Sequence, residues 1–174
     1  MTAPTHPPDL LAAQARAYAA IGLTCTHVQP EAESADYGAA TLLLGDLRVR
    51  FRVAKTTPTK VGQFVTLWKR VGRGPIQPFD VSDPVDCFVV STRSGAQFGQ
   101  FVFPMAALAA QGVVAQHGKG GKRALRVYPP WVTTTSRQAQ RTQAWQLAYF
   151  LDLSDGHPVD TQRAKRLLAL QPAG

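Results

Sequence analysis

An α/β fold, one domain built on a central mixed β-sheet flanked by helices, follows from three features of this 174-residue chain. Residues 47–54, 85–92 and 98–103 alternate or run apolar as strands do, while residues 10–21 and 137–152 repeat their apolar members at helical spacing. Length and composition, 45% hydrophobic and 17% charged, suit one ordinary soluble core. No internal repeat or composition shift divides the chain, so residues 1–8 read as a flexible, proline-rich leader and 9–174 as a single domain.

Taken in order, Asp9 is placed to cap a helix whose stripe is Leu10, Leu11, Ala13, Ala17, Tyr18 and Ile21, with Gly22 ending it. Residues 25–28 begin a short strand, and 29–36 form an acidic loop holding Glu31, Glu33 and Asp36. Residues 39–44 and 47–54 are strands joined at Gly45-Asp46. On the second of them Leu47, Val49, Phe51 and Val53 share one face, and Arg48, Arg50 and Arg52 the other. Thr56-Thr57-Pro58-Thr59 then breaks the pattern before residues 63–68 resume it, which reads as strand, tight basic turn, strand. Three prolines punctuate an ordered loop over residues 75–84. Residues 85–92 and 98–103 form an antiparallel hairpin, Pro104 starts a short helix, and 116–123 is a mobile, basic, glycine-rich loop. Residues 124–128 are a strand stopped by Pro129-Pro130. A helix over 137–152 has Ala144, Leu147, Ala148 and Leu151 facing the core and Gln138, Arg141 and Gln146 facing outward, and a basic amphipathic helix closes the chain over 159–170.

Charge is the strongest compositional signal: 19 Lys plus Arg against 11 Asp plus Glu give +8. Between residues 46 and 73 stand eight basic side chains and one acidic one. A surface that meets phosphates has this footprint, and so has a merely solubilising one. The candidate nucleic-acid contacts are Arg48, Arg50, Arg52, Lys55, Lys60, Lys69 and Arg70, with Lys119, Lys122 and Arg123 of the glycine-rich loop and Trp131 as a stacking ring. Lys55 and Lys60 flank a turn whose hydroxyls and amides can gather around a phosphate oxygen, with Pro58 fixing its shape. The pattern lacks the glycines and Lys-Ser/Thr ending of a P-loop. Scattered histidines and the absence of any Cys/His cluster argue against a zinc enzyme, and no G-x-S-x-G marks a serine nucleophile. Cys25 and Cys87 are far apart, and Cys87 in an apolar run reads as a buried thiol. No run of about 18 apolar residues is present, and no charged-then-apolar start marks export, so the chain is expected in the cytoplasm, away from membranes.

VAKTTPTKVGQFVTLWKR, with GPIQPFDVSD, GQFVFP and KRALRVYPPW further on, resembles the MepB family of small bacterial proteins, over roughly residues 37–151. The resemblance implies a restriction-endonuclease-like fold, shared by metal-dependent nucleases and by inactive nucleic-acid-binding relatives. An active member would gather carboxylates for Mg²⁺ and a lysine for the attacking water. Asp83 and Asp86 are the candidate metal ligands and catalytic carboxylates, and Lys55 the candidate lysine. The neighbouring strand, Gly99 to Pro104, offers neither acid nor lysine, and Arg52 stands where a carboxylate is wanted. The principal expectation is therefore nucleic-acid binding, of DNA in preference to RNA, over an absent or degenerate catalytic centre. A Mg²⁺-dependent nuclease is one alternative, and an accessory factor that binds a small molecule or a protein is another. In the bland reading of the two acids, Asp83 caps a turn and Asp86 pairs with an arginine.

Overall fold

A computed structural model describes residues 6–169. Most of the expected leader lies outside the described residues. Pro8 already begins the first helix, α1 (Pro8–Ala13), whose N-terminal turn needs no N–H from a proline. Asp9 does not cap this helix as expected; it lies within it and pairs with Arg93, Nε to Oδ1 2.7 Å. The helix runs on through a π-helical turn, Gln14–Tyr18, and a 3₁₀ turn, Ala19–Ile21, and ends at Gly22 with φ 78°.

The main sheet has six strands: β1 (Cys25–Pro30), β2 (Ala40–Leu44), β3 (Leu47–Val53), β8 (Cys87–Ser94), β9 (Gln97–Pro104) and β11 (Phe150–Asp152), side by side in that order. All neighbours are antiparallel except β3 and β8, which run parallel, Val49 opposite Cys87 through Val53 opposite Ser91. A parallel pair requires a crossover, and residues 54–86 supply it. That crossover holds four more strands: β4 (Lys55–Thr56), β5 (Gln63–Thr66), β6 (Trp68–Arg70) and β7 (Ile76–Pro78). The last two pair only with each other, whereas β4 and β5 join β10 (Ala124–Val127) in a three-stranded sheet ordered β10-β5-β4. The stretch read as one hairpin from residue 51 to 73 is thus divided among three sheets. Its outgoing strand β3 never pairs with β5.

Both faces of the main sheet are covered. Leu47, Val49 and Phe51 of β3, Cys87 and Val89 of β8 and Val102 of β9 meet Leu10, Ala13, Ala17 and Tyr18 of the N-terminal helix and Ala164 and Leu168 of α4 (Thr161–Leu168). On the other face Phe88, Val90, Phe101 and Phe103 meet Val65 and Leu67, Leu125 and Val127, and Leu108 of α2 (Met105–Ala110). The period-2 alternation of a strand sends successive residues into these two cores.

The helix expected over 137–152 is shorter: α3 (Arg137–Leu147) stops, and Phe150–Asp152 leaves it as strand β11, opposite Phe101, Gln100 and Gly99 of β9. Phe150 and Leu151 alternate between the two cores as a strand requires, which a helical stripe could not do. Gln146, expected to face outward, is fully buried. It accepts from Tyr128 N at 2.8 Å and donates to Arg126 O at 2.9 Å, closing the free edge of β10. The closing helix is described as far as Leu168, and the end of the expected 159–170 segment lies outside the described residues.

Candidate functional site

The three arginines of β3 each meet an acid, Asp86 just before β8 or Glu31 after β1. Asp86 accepts from Arg48 N, Nε and Nη2 at 2.8, 3.1 and 2.9 Å. Glu31, from the loop after β1, takes Arg50 at 2.9 Å and Arg52 at 2.7 Å. Arg52 is fully buried, with Nε also donating to Thr66 O at 3.3 Å across the layer. Burial pulls its guanidinium below the ordinary value, and Glu31 opposes that shift. Lys69 and Arg70 are held by Asp83 at 2.6 Å and Glu33 at 2.8 Å. These five side chains therefore serve ion pairs within the protein. The sequence reading gave Arg48, Arg50 and Arg52 a free face, but the sheet is covered on that side.

The candidate catalytic centre is arranged differently from expectation. Asp83 holds Lys69 and accepts from Asp80 N at 2.8 Å, and Asp86 is occupied by Arg48. Asp83 in a turn and Asp86 on an arginine is the bland arrangement weighed for them. Lys55 lies on β4 with its Nζ 4.7 Å from the centre of the Tyr37 ring. A Mg²⁺ ion at Asp83 and Asp86 would have to displace Lys69 and the three-point Arg48 contact, so these residues do not fit such a site. Among the described residues no three His, Cys, Asp or Glu side chains gather as metal ligands do. Trp131, expected as an exposed stacking ring, is partly buried against the second core, edge-on to Phe150 at 5.7 Å and 77°.

Two cations with no acid at ion-pair distance among the described residues, Lys55 and Arg126, lie on the small sheet. Lys55 of β4, Phe64 of β5 and Arg126 of β10 stand opposite one another in a row across its outer surface. Strand spacing makes that row about 10 Å long. Arg126 packs over Phe64, 5.7 Å to the ring centre, and Tyr37 lies 6.2 Å from Phe64. One nitrogen of Arg126, Nη1, donates to Thr57 Oγ1 at 3.0 Å and Val61 O at 3.2 Å, which fixes the TTPT turn beside β10. Sequence reasoning missed Arg126. Its signal, an outward position on an alternating strand between Lys122-Arg123 and Tyr128, was present in the chain.

Beside this row a cleft of about 300 Å³ is bounded by Lys60, Lys122, Arg126, Tyr128 and the first turns of α3, Ser136 to Thr142. Ser136 caps α3, its Oγ accepting from Ala139 N at 3.1 Å. Gly62 underlies Tyr128 with φ +82°, and a Cβ there would stand 2.7 Å from the ring, so the close approach and the backbone both require glycine. No carboxylate lies within ion-pair distance of Lys60, Lys122 or Arg126 among the described residues.

The glycine-rich loop is pinned, contrary to the mobile loop expected. Asp80 accepts from Ser82 Oγ at 2.6 Å, Gly118 N at 2.8 Å and Ser82 N at 2.9 Å, and these bonds hold its carboxyl down to about 2. Lys122 N donates to Val113 O at 2.9 Å, and Gln116 and Lys119 bridge to each other. Lys119, Lys122 and Arg123 are exposed on this fixed frame, Lys122 in the cleft. Cys87 is fully buried and unpaired, and burial pushes its thiol up to about 12.

No described helix is long and apolar enough to cross a membrane. No functionally curated protein matches the chain. A crystal structure of MepB superposes with a TM-score of 0.72 at 29% identity, covering 84% of this chain and 97% of that one. The profile of the MepB-like family matches residues 31–152, a span holding β2 to β11 and the whole basic cleft. By that match over most of its length, the chain belongs to the MepB-like family.

Proposed function

We propose that this protein binds nucleic acid through the outer surface of the small sheet and the adjoining cleft, without catalysing cleavage. One observation carries the reading. Four cations with no acid at ion-pair distance among the described residues, Lys55, Lys60, Lys122 and Arg126, fall together, interleaved with the rings of Tyr37, Phe64 and Tyr128. Cations interleaved with aromatic rings suit a phosphate backbone and the bases beside it. The endonuclease-like architecture that the family resemblance implies belongs to the same proposal, with a mixed sheet carrying a second layer that has taken over the binding.

The test is anisotropy of labelled DNA and RNA, single- and double-stranded, with EDTA present and salt titrated. Affinity is expected to fall steeply with salt, and Lys60→Ala and Lys122→Ala each to lower the slope of log K against log salt by about 1. Arg50→Ala should leave that slope unchanged, because Arg50 is spent on Glu31. The same panel tests the preference for DNA over RNA. Affinity flat in salt, or no binding at low salt, overturns the proposal.

The accessory-factor reading has one observation in its favour: an apolar cavity of about 290 Å³ bounded by Pro7, Pro8, Val28, Pro30, Ala39 and Val53, away from the basic cleft. Loss of salt-sensitive nucleic-acid binding, together with a thermal shift by an apolar small molecule that Val28→Trp abolishes, would favour it.

A further inference from the structure

The cleft between β10 and α3 carries more positive charge than a chain of phosphodiesters needs at one point. Lys60, Lys122 and Arg126 place three cations around about 300 Å³, and none of the three has an acid partner among the described residues. Arg126 spends only Nη1 on the protein, on Thr57 and Val61, which leaves Nη2 and Nε as a fork for an acceptor. At the far wall α3 begins. Its first intrahelical bond to the cap, from Gln140 N to Ser136 O, and the cap bond to Ala139 N leave the amides of Arg137 and Gln138 without acceptors among the described residues. Those amides and the helix dipole add to the three cations at the same place.

A phosphodiester brings one negative charge to such a place, while a phosphate monoester brings about 1.5 to 2 at pH 7 and a third acceptor oxygen. The volume sets a second limit. Pockets that hold small ligands begin at about 300 Å³, so the cleft has room for one nucleotide-sized group and not for a run of them. The surrounding surface is a different kind of place: the Lys55, Phe64, Arg126 row is open and suits the chain that leads away.

We infer that the cleft bounded by Lys60, Lys122, Arg126 and the start of α3 is a phosphate-monoester pocket, which seats the phosphorylated end of a nucleic-acid strand. This rests on the nucleic-acid reading for its ligand, though the pocket chemistry is equally that of a free nucleoside monophosphate, and the arms of the test separate the two sources.

The experiment measures binding of short single-stranded oligonucleotides, identical except for a phosphate or a hydroxyl at the 5′ end, and a second set varied at the 3′ end, with the label on the opposite terminus. Calorimetry with inorganic phosphate, a nucleoside 5′-monophosphate and the nucleoside itself forms the third arm. A phosphate at one end is expected to tighten binding at least about tenfold, the effect of one added charge-assisted hydrogen bond. The Lys60→Ala/Lys122→Ala double variant should lose that gain, and Lys165→Ala, at an exposed position of α4 away from the cleft, should keep it. Both lysines are exposed, and thermal unfolding of the double variant checks that it is folded.

If phosphorylated and hydroxyl ends bind equally, and the monophosphate is no better than the nucleoside, the pocket is refuted while general nucleic-acid binding stands. If no oligonucleotide binds but the monophosphate does so through Lys60 and Lys122, the pocket stands and the nucleic-acid reading falls. If neither binds, both are overturned.

Discussion

Replacing Glu31 by Gln removes one charge and leaves two arginines to each other. Its carboxylate is 2.7 Å from Arg52 Nη1 and 2.9 Å from Arg50 Nη1, and the Arg52 side chain is wholly out of water. Removing one partner of a buried ion pair costs about 3–5 kcal/mol, because the remaining charge stays desolvated. Arg50, with 27% of its side chain exposed, adds less than about 1 kcal/mol on the scale of partly exposed pairs. Gln keeps one amide oxygen as an acceptor, so about 3 kcal/mol is expected, a large part of a typical 5–15 kcal/mol stability. Three tryptophans allow urea unfolding to be followed by fluorescence. With a slope of about 2 kcal/mol per molar urea, the midpoint should fall by about 1.5 M. The double variant Glu31→Gln/Arg52→Met, with neither charge in that place, should recover much of the loss. A midpoint shift below about 0.3 M for Glu31→Gln, on the same slope, would refute the account of Arg50 and Arg52 as held by Glu31 and return those two to the list of surface contacts.

Two further outcomes follow from buried groups. Gln146→Leu strips the edge of β10 of the donor and acceptor that close it; leaving Tyr128 N and Arg126 O unpaired should cost about 1–3 kcal/mol each, and hydrogen exchange at Tyr128 N should accelerate. The Cys87 thiol is pushed up to about 12 in the folded protein, from about 8.5 when exposed. Its raised value means that burial of the neutral thiol contributes fully below about pH 8.5 and that this contribution is lost as pH rises through about 12. Alkaline unfolding should therefore steepen above pH 9 and moderate in Cys87→Ala; native Cys87 should resist a thiol reagent at pH 8 and react once unfolded. Rapid modification in the native state would contradict that burial.

The periodicities that named most elements are local facts of the chain. Alternation of Leu47, Val49 and Phe51, the run from Cys87 to Val90 and the positions of Gly22, Gly45 and Pro104 fix strands, turns and starts within a few residues of where they stand. TTPTKVGQFVTLWKR and KRALRVYPPW, dense in Lys and Arg, pair as β5 and β10 and supply Lys60, Lys122, Arg126 and Tyr128 to the cleft beside α3.

Which cations remain free could not be read there, because charge compensation depends on contacts between residues far apart in sequence. Glu31 neutralises Arg52 across 21 residues and Asp86 neutralises Arg48 across 38. An arginine face on an alternating strand looks solvated until the parallel pairing of β3 with β8 turns the intervening residues into a second layer over it. For the same reason Gln146, polar on a helix and so assigned to water, is buried against an open strand edge that exists only once β10 has paired with β5. Trp131 likewise follows its loop into the second core. The sequence by itself determined the family, most of the elements and the excess of positive charge; the tertiary structure alone decided how the strands pair and where that excess is left unpaired, because strand pairing, burial and ion pairing are properties of packed layers, not of segments.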